Sequence, residues 1–185
     1  MPVLPDSTIQ RNAERILQLV NQLMDIRKID KGQMSLMFKK AEIVSFTRDL
    51  LETFEQQTRV KKLDLKFHTS APEIEMWIDP KNFDKIILNL LSNACKFTPE
   101  NGQVEISLST GEDTHLPQNA PLRRYVELTV ADSGIGIAST EREHIFERFY
   151  QIRNSQNNSN IGTGIGLHLT RSLVELHYGN IHVED

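Results

Sequence analysis

Three polar side chains with helical spacing could bind a phosphorylated ligand together with a metal ion. Asn89 and Asn93 are four residues apart and Lys96 follows three residues later, so a helix would place all three on one face. Their neighbours are mostly apolar, and a buried amide without a hydrogen-bond partner costs about 1–3 kcal/mol. A core amide satisfied by the backbone is one interpretation. Two amide oxygens beside a lysine suit a hard cation and its bridged phosphates better.

Two glycine clusters could hold the phosphates themselves. The first contains Gly134 and Gly136, and the second covers residues 162–167 and leads directly into a predicted helix. Glycine lets the backbone approach a phosphate closely, and a helix N-terminus adds free N–H donors. Taken singly, each cluster is equally well explained as a flexible loop that ends at a helix.

The common nucleotide motifs are excluded by spacing. The chain has no Gly-Lys dipeptide and therefore no P-loop. A dinucleotide fingerprint needs a glycine where Leu167 and Ser139 stand. The protein-kinase motifs and the Gly-x-Ser-x-Gly nucleophile elbow are also absent.

Hydrophobic periodicity predicts the elements that must position these residues. Helices are expected at residues 6–30, 43–60, 82–97 and 164–177, with a short helical segment at 139–148, and strands at 34–38, 63–67, 75–78, 104–108 and 125–130. The polar run at 153–160 has no apolar anchor and is predicted to be mobile. Helices and strands do not alternate strictly, which predicts an α+β fold: a two-layer sandwich of one mixed sheet with helices on one face, preceded by one long helix.

Composition narrows the class of protein. The chain has 185 residues, a net charge of −4 and one cysteine, Cys95. No concentrated basic face is present, so nucleic acid is not an expected partner. A single cysteine excludes a disulfide framework and a multi-cysteine zinc site, and a reducing compartment fits best. No stretch approaches the roughly 18 apolar residues of a membrane span.

Four segments in this order resemble the ATP-binding boxes of bacterial sensor histidine kinases. Residues 89–99 resemble the N box, 132–137 the first glycine box, 145–150 the F box and 162–167 the second glycine box. Residues 17–32 resemble the second helix of the family's dimerisation hairpin. The details are most similar to hybrid kinases of Bacteroides-type bacteria.

The resemblance implies a Bergerat-type ATP-binding sandwich, which type II topoisomerases and a class of heat-shock chaperones share. It implies ATP and Mg²⁺ as cofactors, with Asp132 accepting from the adenine amino group. Asn93 would bind Mg²⁺ with Asn89 as a second contact, and Lys96 would contact phosphate. The remaining expected nucleotide contacts are Phe97, Gly134, Gly136, Ile137, Tyr150, Gly162, Thr163, Gly164, Gly166 and Leu167.

One position separates a kinase from an ATPase. In the topoisomerase and chaperone relatives, a glutamate that activates water stands where this chain has Asn89. An amide cannot usefully accept a proton, so we expect slow hydrolysis and transfer of the γ-phosphate to a histidine. An ATPase is one alternative, and a degenerate module that only senses nucleotide or docks to a partner is another.

The sequence also departs from the family pattern. None of the six histidines fits the family's phosphate acceptor, so the acceptor helix is expected before Met1, and the chain is expected to bind ATP without phosphorylating itself. Gln151 stands where relatives often have arginine, and residues 180–185 would begin a strand that lacks its hairpin.

These features predict a domain organisation and a set of partners. Residues 1–32 would be the partial hairpin and 33–185 the catalytic domain. The expected partners are the acceptor-histidine helix of the same parent, a second copy in a parental homodimer, and a response regulator or receiver domain. The chain would be a cytoplasmic domain of a kinase anchored in the bacterial inner membrane.

Overall fold

The computed structural model describes residues 6–113, 115, 123–152 and 162–184. The elements in chain order are α1 (Asp6–Asp30), β1 (Lys39–Glu42), α2 (Ile43–Lys61), β2 (Asp64–Thr69), β3 (Glu75–Ile78), α3 (Pro80–Phe97), β4 (Gln103–Glu112), β5 (Arg124–Asp132), a 3₁₀-helix (His144–Phe146) and α4 (Gly166–Leu176). None of these helices is both long and apolar enough to cross a membrane. The polar run at 153–160 lies outside the described residues.

The chain divides into two compact units. The sheet unit comprises Met37–Ala138, and the helical unit combines the chain up to Leu36 with Ser139–Glu184. The sheet unit therefore holds α2, α3 and every strand, whereas the helical unit holds α1, the 3₁₀-helix and α4. The predicted domain boundary after residue 32 stays a prediction.

A mixed three-stranded sheet forms the centre of the sheet unit. β4 lies between β2, which runs parallel to it, and β5, which runs antiparallel. Val104, Ile106 and Leu108 of β4 are buried and alternate with more exposed positions, which is the period of a strand with one covered face. α2 packs on β2 and α3 packs on β5, so helices cover the sheet. This arrangement confirms the predicted α+β class.

The strands form two sheets instead of the single sheet expected from the sequence. β1 and β3 pair with each other as an antiparallel ribbon in which Lys39 is opposite Ile78 and Glu42 is opposite Glu75. The predicted strand at 34–38 is wrong, because pairing with β3 begins only at Lys39. Just before it, the Met37 N–H donates to Asp79 Oδ2 at 2.8 Å.

Local caps fix both ends of α3. Asp79 is the N-cap, its carboxylate accepts from the Asn82 N–H, and Pro80 occupies the first helical position, two residues before the predicted start. At the other end, the N–H and the hydroxyl of buried Thr98 both donate to Ala94 O, at 3.0 and 2.7 Å. The helix therefore stops at Phe97, two residues before Pro99.

In the helical unit, α1 has the predicted bounds and ends in a glycine cap. Gly32 has a φ of +62°, and the Gln33 N–H donates to Lys28 O at 2.8 Å. α1 contacts α4, and Arg148 pairs with Asp30 at 3.3 Å. Ile26 is buried, while several other apolar residues of α1 are exposed: Ile9, Ile16, Val20 and Leu23.

Three further predictions in the helical unit are corrected. The helix predicted at 139–148 is limited to the 3₁₀-helix among turns. α4 begins at Gly166 and not at 164, because Gly164 has a φ of +66°, which a right-handed helix excludes. Residues 180–184 form no strand, and the Ile181 N–H instead donates to the side chain of Asn180.

Candidate functional site

The three polar residues first considered all lie on α3. Asn89, Asn93 and Lys96 are partly buried, and their spacing of four and three residues places them along one face of the helix. The Lys96 Nζ lies 4.8 Å from the centre of the Phe97 ring, within the range of a cation–π contact. Partial exposure leaves these side chains able to meet a ligand.

A tight loop at the end of β5 presents the carboxylate of Asp132. Its Oδ1 accepts from the Gly134 N–H at 2.8 Å, while Oδ2 accepts no hydrogen bond within the described residues. A Cβ added to Gly134 would lie 2.5 Å from that Oδ1 and 2.8 Å from Phe97 O. Only glycine fits this approach, which brings the ends of β5 and α3 together.

Two further predicted contacts follow in the same loop. Gly136 has a φ of +68°, but a Cβ there would meet no atom within 4 Å, so its conformation and not a close approach favours glycine. Ile137 is partly buried.

In the helical unit, the F box is bonded to the second glycine box. The Phe149 N–H donates to Gly164 O at 2.8 Å, and Gln151 Nε2 donates to Gly162 O at 2.9 Å. A Cβ on Gly164 would lie 2.6 Å from the Phe149 carbonyl carbon and 2.7 Å from Tyr150 O. Gln151, which departs from the family pattern, therefore holds the backbone of the glycine segment. Thr163 Oγ1 accepts from the Ile165 N–H, and Gly166 and Leu167 open α4.

Charged and aromatic side chains support this segment. Phe146 is buried, and the Arg171 guanidinium lies 4.1 Å from the centre of its ring. Tyr150 donates from its hydroxyl to Glu141, which raises the tyrosine pKa above its usual range. A hydrogen bond to Glu147 likewise raises the pKa of His144.

The predicted contacts are thus divided between the two units. The sheet unit holds Asn89, Asn93, Lys96, Phe97, Asp132, Gly134, Gly136 and Ile137. The helical unit holds Tyr150, Gly162, Thr163, Gly164, Gly166 and Leu167.

The side chains predicted to bind a metal ion are both amides. Across the described ranges, no group of three His, Cys, Asp or Glu side chains could hold a metal ion. Asn89 and Asn93 still offer two neutral oxygen ligands on one helical face. Such a set fits Mg²⁺ only when phosphate oxygens supply the negative ligands.

Comparison with known proteins decides the family. Residues 78–185, more than half of the chain, match the model of the histidine kinase-, DNA gyrase B- and HSP90-like ATPases. The chain belongs to this ATPase family. The matched residues include α3, the Asp132 loop, the F box and both glycine clusters.

Within the family, the relatives of this chain include several named histidine kinases. The chain is 38% identical over 177 residues to sensor histidine kinase TmoS of Ectopseudomonas mendocina, covering 96% of the chain and 17% of TmoS. It is 30% identical to histidine kinase P4 of Formosa agariphila, covering 95% of the chain and 12% of that protein. The chain is thus the ATP-binding catalytic domain of the sensor histidine kinase type, and it spans less than a fifth of either relative.

Solved structures agree with the fold. The nucleotide-free catalytic domain of histidine kinase ThkA matches with a TM-score of 0.61 at 25% identity, covering 76% of this chain and 82% of that one. Full-length ShkA in complex with AMPPNP matches the fold with a TM-score of 0.77 at 23% identity, covering all of this chain and 37% of ShkA.

The sequence did not predict two supporting residues of this kinase-type domain. Lys61 Nζ contacts the C-terminal end of α3, and Ser133 Oγ accepts from the Gln103 N–H at 2.8 Å beside Asp132. A lysine in the last turn of a helix and a serine inside a glycine box are the available signals, but neither identifies its distant partner.

Proposed function

We propose that this chain is the part of a sensor histidine kinase that binds Mg-ATP and donates the γ-phosphate to a histidine elsewhere in the parent protein. The observation that carries the proposal is the Asp132 loop. One carboxylate oxygen accepts from the Gly134 N–H, the other accepts no hydrogen bond within the described residues, and Gly134 itself lies close to Phe97 O at the end of α3.

Asp132 would select adenine by accepting from its exocyclic amino group. The bond between Oδ1 and the Gly134 N–H fixes the carboxylate plane, which leaves Oδ2 to accept from the base. A hydrogen bond to a charged acceptor contributes about 1.5–3 kcal/mol, enough to discriminate between bases. Gly134, Gly136 and Ile137 would border the base, and Phe97 would line the pocket.

Phosphate and metal contacts would come from α3 and the second glycine box. Asn93, with Asn89, would hold Mg²⁺ through amide oxygens, and Lys96 would contact phosphate. The metal would neutralise phosphate charge when bound. Within the helical unit, the proposed phosphate contacts are Gly162, Thr163, Gly164, Gly166 and Leu167, with the first N–H groups of α4 as donors, and Tyr150 is a further proposed nucleotide contact.

Asn89 favours phosphate transfer over hydrolysis. A neutral amide is a poor base for activating water, so the γ-phosphate would be kept for transfer by positioning and electrostatics. The family also contains ATPases, which keeps an ATPase as an alternative. That alternative predicts rapid release of inorganic phosphate. A docking module predicts no nucleotide binding.

The wider setting follows from the relatives. One solved structure is histidine kinase ThkA in complex with response regulator protein TrrA, and we propose a response regulator or receiver domain as a partner here too. The parent would be a homodimer that supplies the acceptor-histidine helix, anchored in the bacterial inner membrane with this domain in the cytoplasm. A hybrid, Bacteroides-type parent stays a prediction.

Calorimetric titration with Mg-ATP tests the proposal. Asp132→Asn should weaken binding at least about tenfold, because an amide NH₂ in place of Oδ2 would oppose the amino group of adenine. Asp64→Asn is the matched control, since Asp64 is exposed and its carboxylate makes a surface ion pair with Lys66 at 3.2 Å. Absence of binding by the unmutated chain would contradict the proposal and support a docking module.

A further inference from the structure

Lys61, the last residue of α2, contacts the end of α3 through all of its side-chain donors. Its Nζ donates to the carbonyl oxygens of Cys95 at 2.8 Å, Lys96 at 3.1 Å and Thr98 at 3.1 Å. An ammonium group has three N–H donors, and these three acceptors use them all. A lysine exposed on the surface would direct at least some of these donors to water.

The three carbonyl groups lie at the C-terminal end of α3, where helix carbonyls normally lack hydrogen-bond donors. The last four carbonyl groups of an α-helix receive no hydrogen bond from an N–H group of the same helix, and together they carry a partial negative charge. Thr98 satisfies the carbonyl of Ala94, and Lys61 satisfies those of Cys95 and Lys96. Lys61 therefore fixes the backbone at the end of α3 and offsets its negative end.

That backbone supports the Asp132 loop directly. Phe97 lies between Lys96 and Thr98, whose carbonyls Lys61 binds, and its own carbonyl oxygen would lie 2.8 Å from a Cβ on Gly134. A displacement of residues 96–98 would therefore move the surface against which the Asp132 loop rests.

A second route of hydrogen bonds joins Lys61 to the same loop. The Asn101 N–H donates to Lys61 O at 3.2 Å, in the turn that follows α3. Two residues later, Gln103 exchanges hydrogen bonds with Ser133, whose N–H donates to Gln103 O at 3.0 Å. Ser133 is the residue next to Asp132.

Electrostatic contact is consistent with this geometry. Burial raises the pKa of the Cys95 thiol, the Lys61 cation acts in the opposite direction and the Asp132 anion adds to the increase. Lys61 and Asp132 therefore both lie within electrostatic reach of one buried thiol.

We propose that Lys61 is a positioning residue for nucleotide recognition, which fixes the backbone of residues 95–98 and thereby the placement of the Asp132 carboxylate and the Lys96 ammonium. The inference rests on the proposed function. Loss of Lys61 should reduce discrimination between bases as well as affinity.

The test compares ATP with ITP, which has a carbonyl where adenine has its amino group. Mg-ATP and Mg-ITP are titrated calorimetrically into the full chain and into Lys61→Met, Lys61→Arg and Lys62→Met, below their measured unfolding temperatures. Lys61→Met removes the donors at similar length, Lys61→Arg keeps charge and donors, and Lys62 is the exposed neighbour. Lys61→Gln, which keeps an amide donor, replaces Lys61→Met if the latter does not fold.

Lys61→Met should weaken Mg-ATP binding about tenfold and lower the preference for ATP over ITP severalfold, because preorganisation is lost. Lys61→Arg should keep much of the Mg-ATP affinity and of the preference for ATP over ITP, and Lys62→Met should change neither quantity. A folded Lys61→Met variant with unchanged affinity and preference would overturn the positioning role alone. Absence of Mg-ATP binding by the unmutated chain would contradict the proposed function, and the positioning role with it.

Discussion

At the scale of single residues, the chemistry depends on groups whose neighbours fix their orientation. In the proposed function, Asp132 can accept a hydrogen bond from adenine because the Gly134 N–H binds only one of its two carboxylate oxygens. Asn89 is important because its neutral amide cannot usefully accept a proton from water. In the proposed function both side chains would act through geometry and charge, which is how phosphoryl transfer is catalysed when little covalent chemistry falls to the protein.

Asn89→Glu should not raise transfer of phosphate to the acceptor histidine, measured in the parent protein with γ-labelled ATP. A carboxylate at this position can accept a proton from water and would favour release of inorganic phosphate. Asn89→Gln, which keeps the amide, is the control. Increased labelling of the histidine in Asn89→Glu would contradict the role given to Asn89.

Gly164→Ala should destabilise the chain by about 2 kcal/mol or more, since the methyl group would overlap the backbone of Phe149 and Tyr150. Gly136→Ala provides a matched control, because its φ of +68° is nearly the same but its surroundings are open. That control should cost only the backbone strain of about 1–2 kcal/mol. Urea denaturation measures both, and equal losses would contradict the close-packing argument.

At the scale of elements, the sequence predicted what local chemistry determines. The predicted ends of α1 at residue 30 and of α3 at residue 97 were correct because caps act within one turn. The strand at 34–38 was wrong because the pairing of Lys39 with Ile78 is a long-range contact. Motifs predicted the α3 side chains and the Asp132 loop, but the bond from Lys61 to Cys95 spans 34 residues and has no local pattern.

Glu42 links the end of β1 to the start of α2 and to the residue before β3, and it should make folding sensitive to acid. Its carboxylate accepts from the N–H groups of Val44, Ser45 and Ile74. Desolvation alone would raise its pKa, but these hydrogen bonds and the Ser45 hydroxyl together lower the pKa of Glu42 to about 2, from 4.5. A lowered folded-state pKa means that the stabilisation is complete above pH 4.5 and is lost as the pH falls toward 2.

Glu42→Gln should therefore lower the free energy of unfolding at pH 7 by about 1 kcal/mol and reduce its dependence on pH between 4.5 and 2. Urea denaturation across this range gives both quantities. Glu75→Gln is the control, since Glu75 lies opposite Glu42 but makes an exposed ion pair with Lys40. The idea fails if the two variants show the same pH dependence as the unmutated chain.

At the scale of the whole molecule, donor and acceptor are expected on different segments. Of the six histidines in the sequence, none lies on α1. Five of them have side-chain partners within the described residues: His68 approaches Glu105, His144 pairs with Glu147, His168 contacts Phe146 O, His177 contacts Leu173 O and His182 pairs with Glu184. The chain has the features of a phosphate donor without the family's acceptor sequence.

Incubation of the chain with γ-labelled Mg-ATP should therefore leave no stable phosphohistidine on it. The measurement is acid-labile, base-stable label retained after gel separation, with the parent protein as the positive control. Retained label on the unmutated chain would contradict the absence of an acceptor.

The central claim, that Asp132 recognises adenine, is tested most directly by the ratio of ATP to ITP affinity in Asp132→Asn. The unmutated chain should prefer Mg-ATP. In the variant, the amide oxygen can keep the bond to the Gly134 N–H and the NH₂ group can donate to the carbonyl of the ITP base. The preference should shift to Mg-ITP in calorimetric titrations of the folded variant. An unchanged preference for Mg-ATP would contradict the recognition of adenine by Asp132.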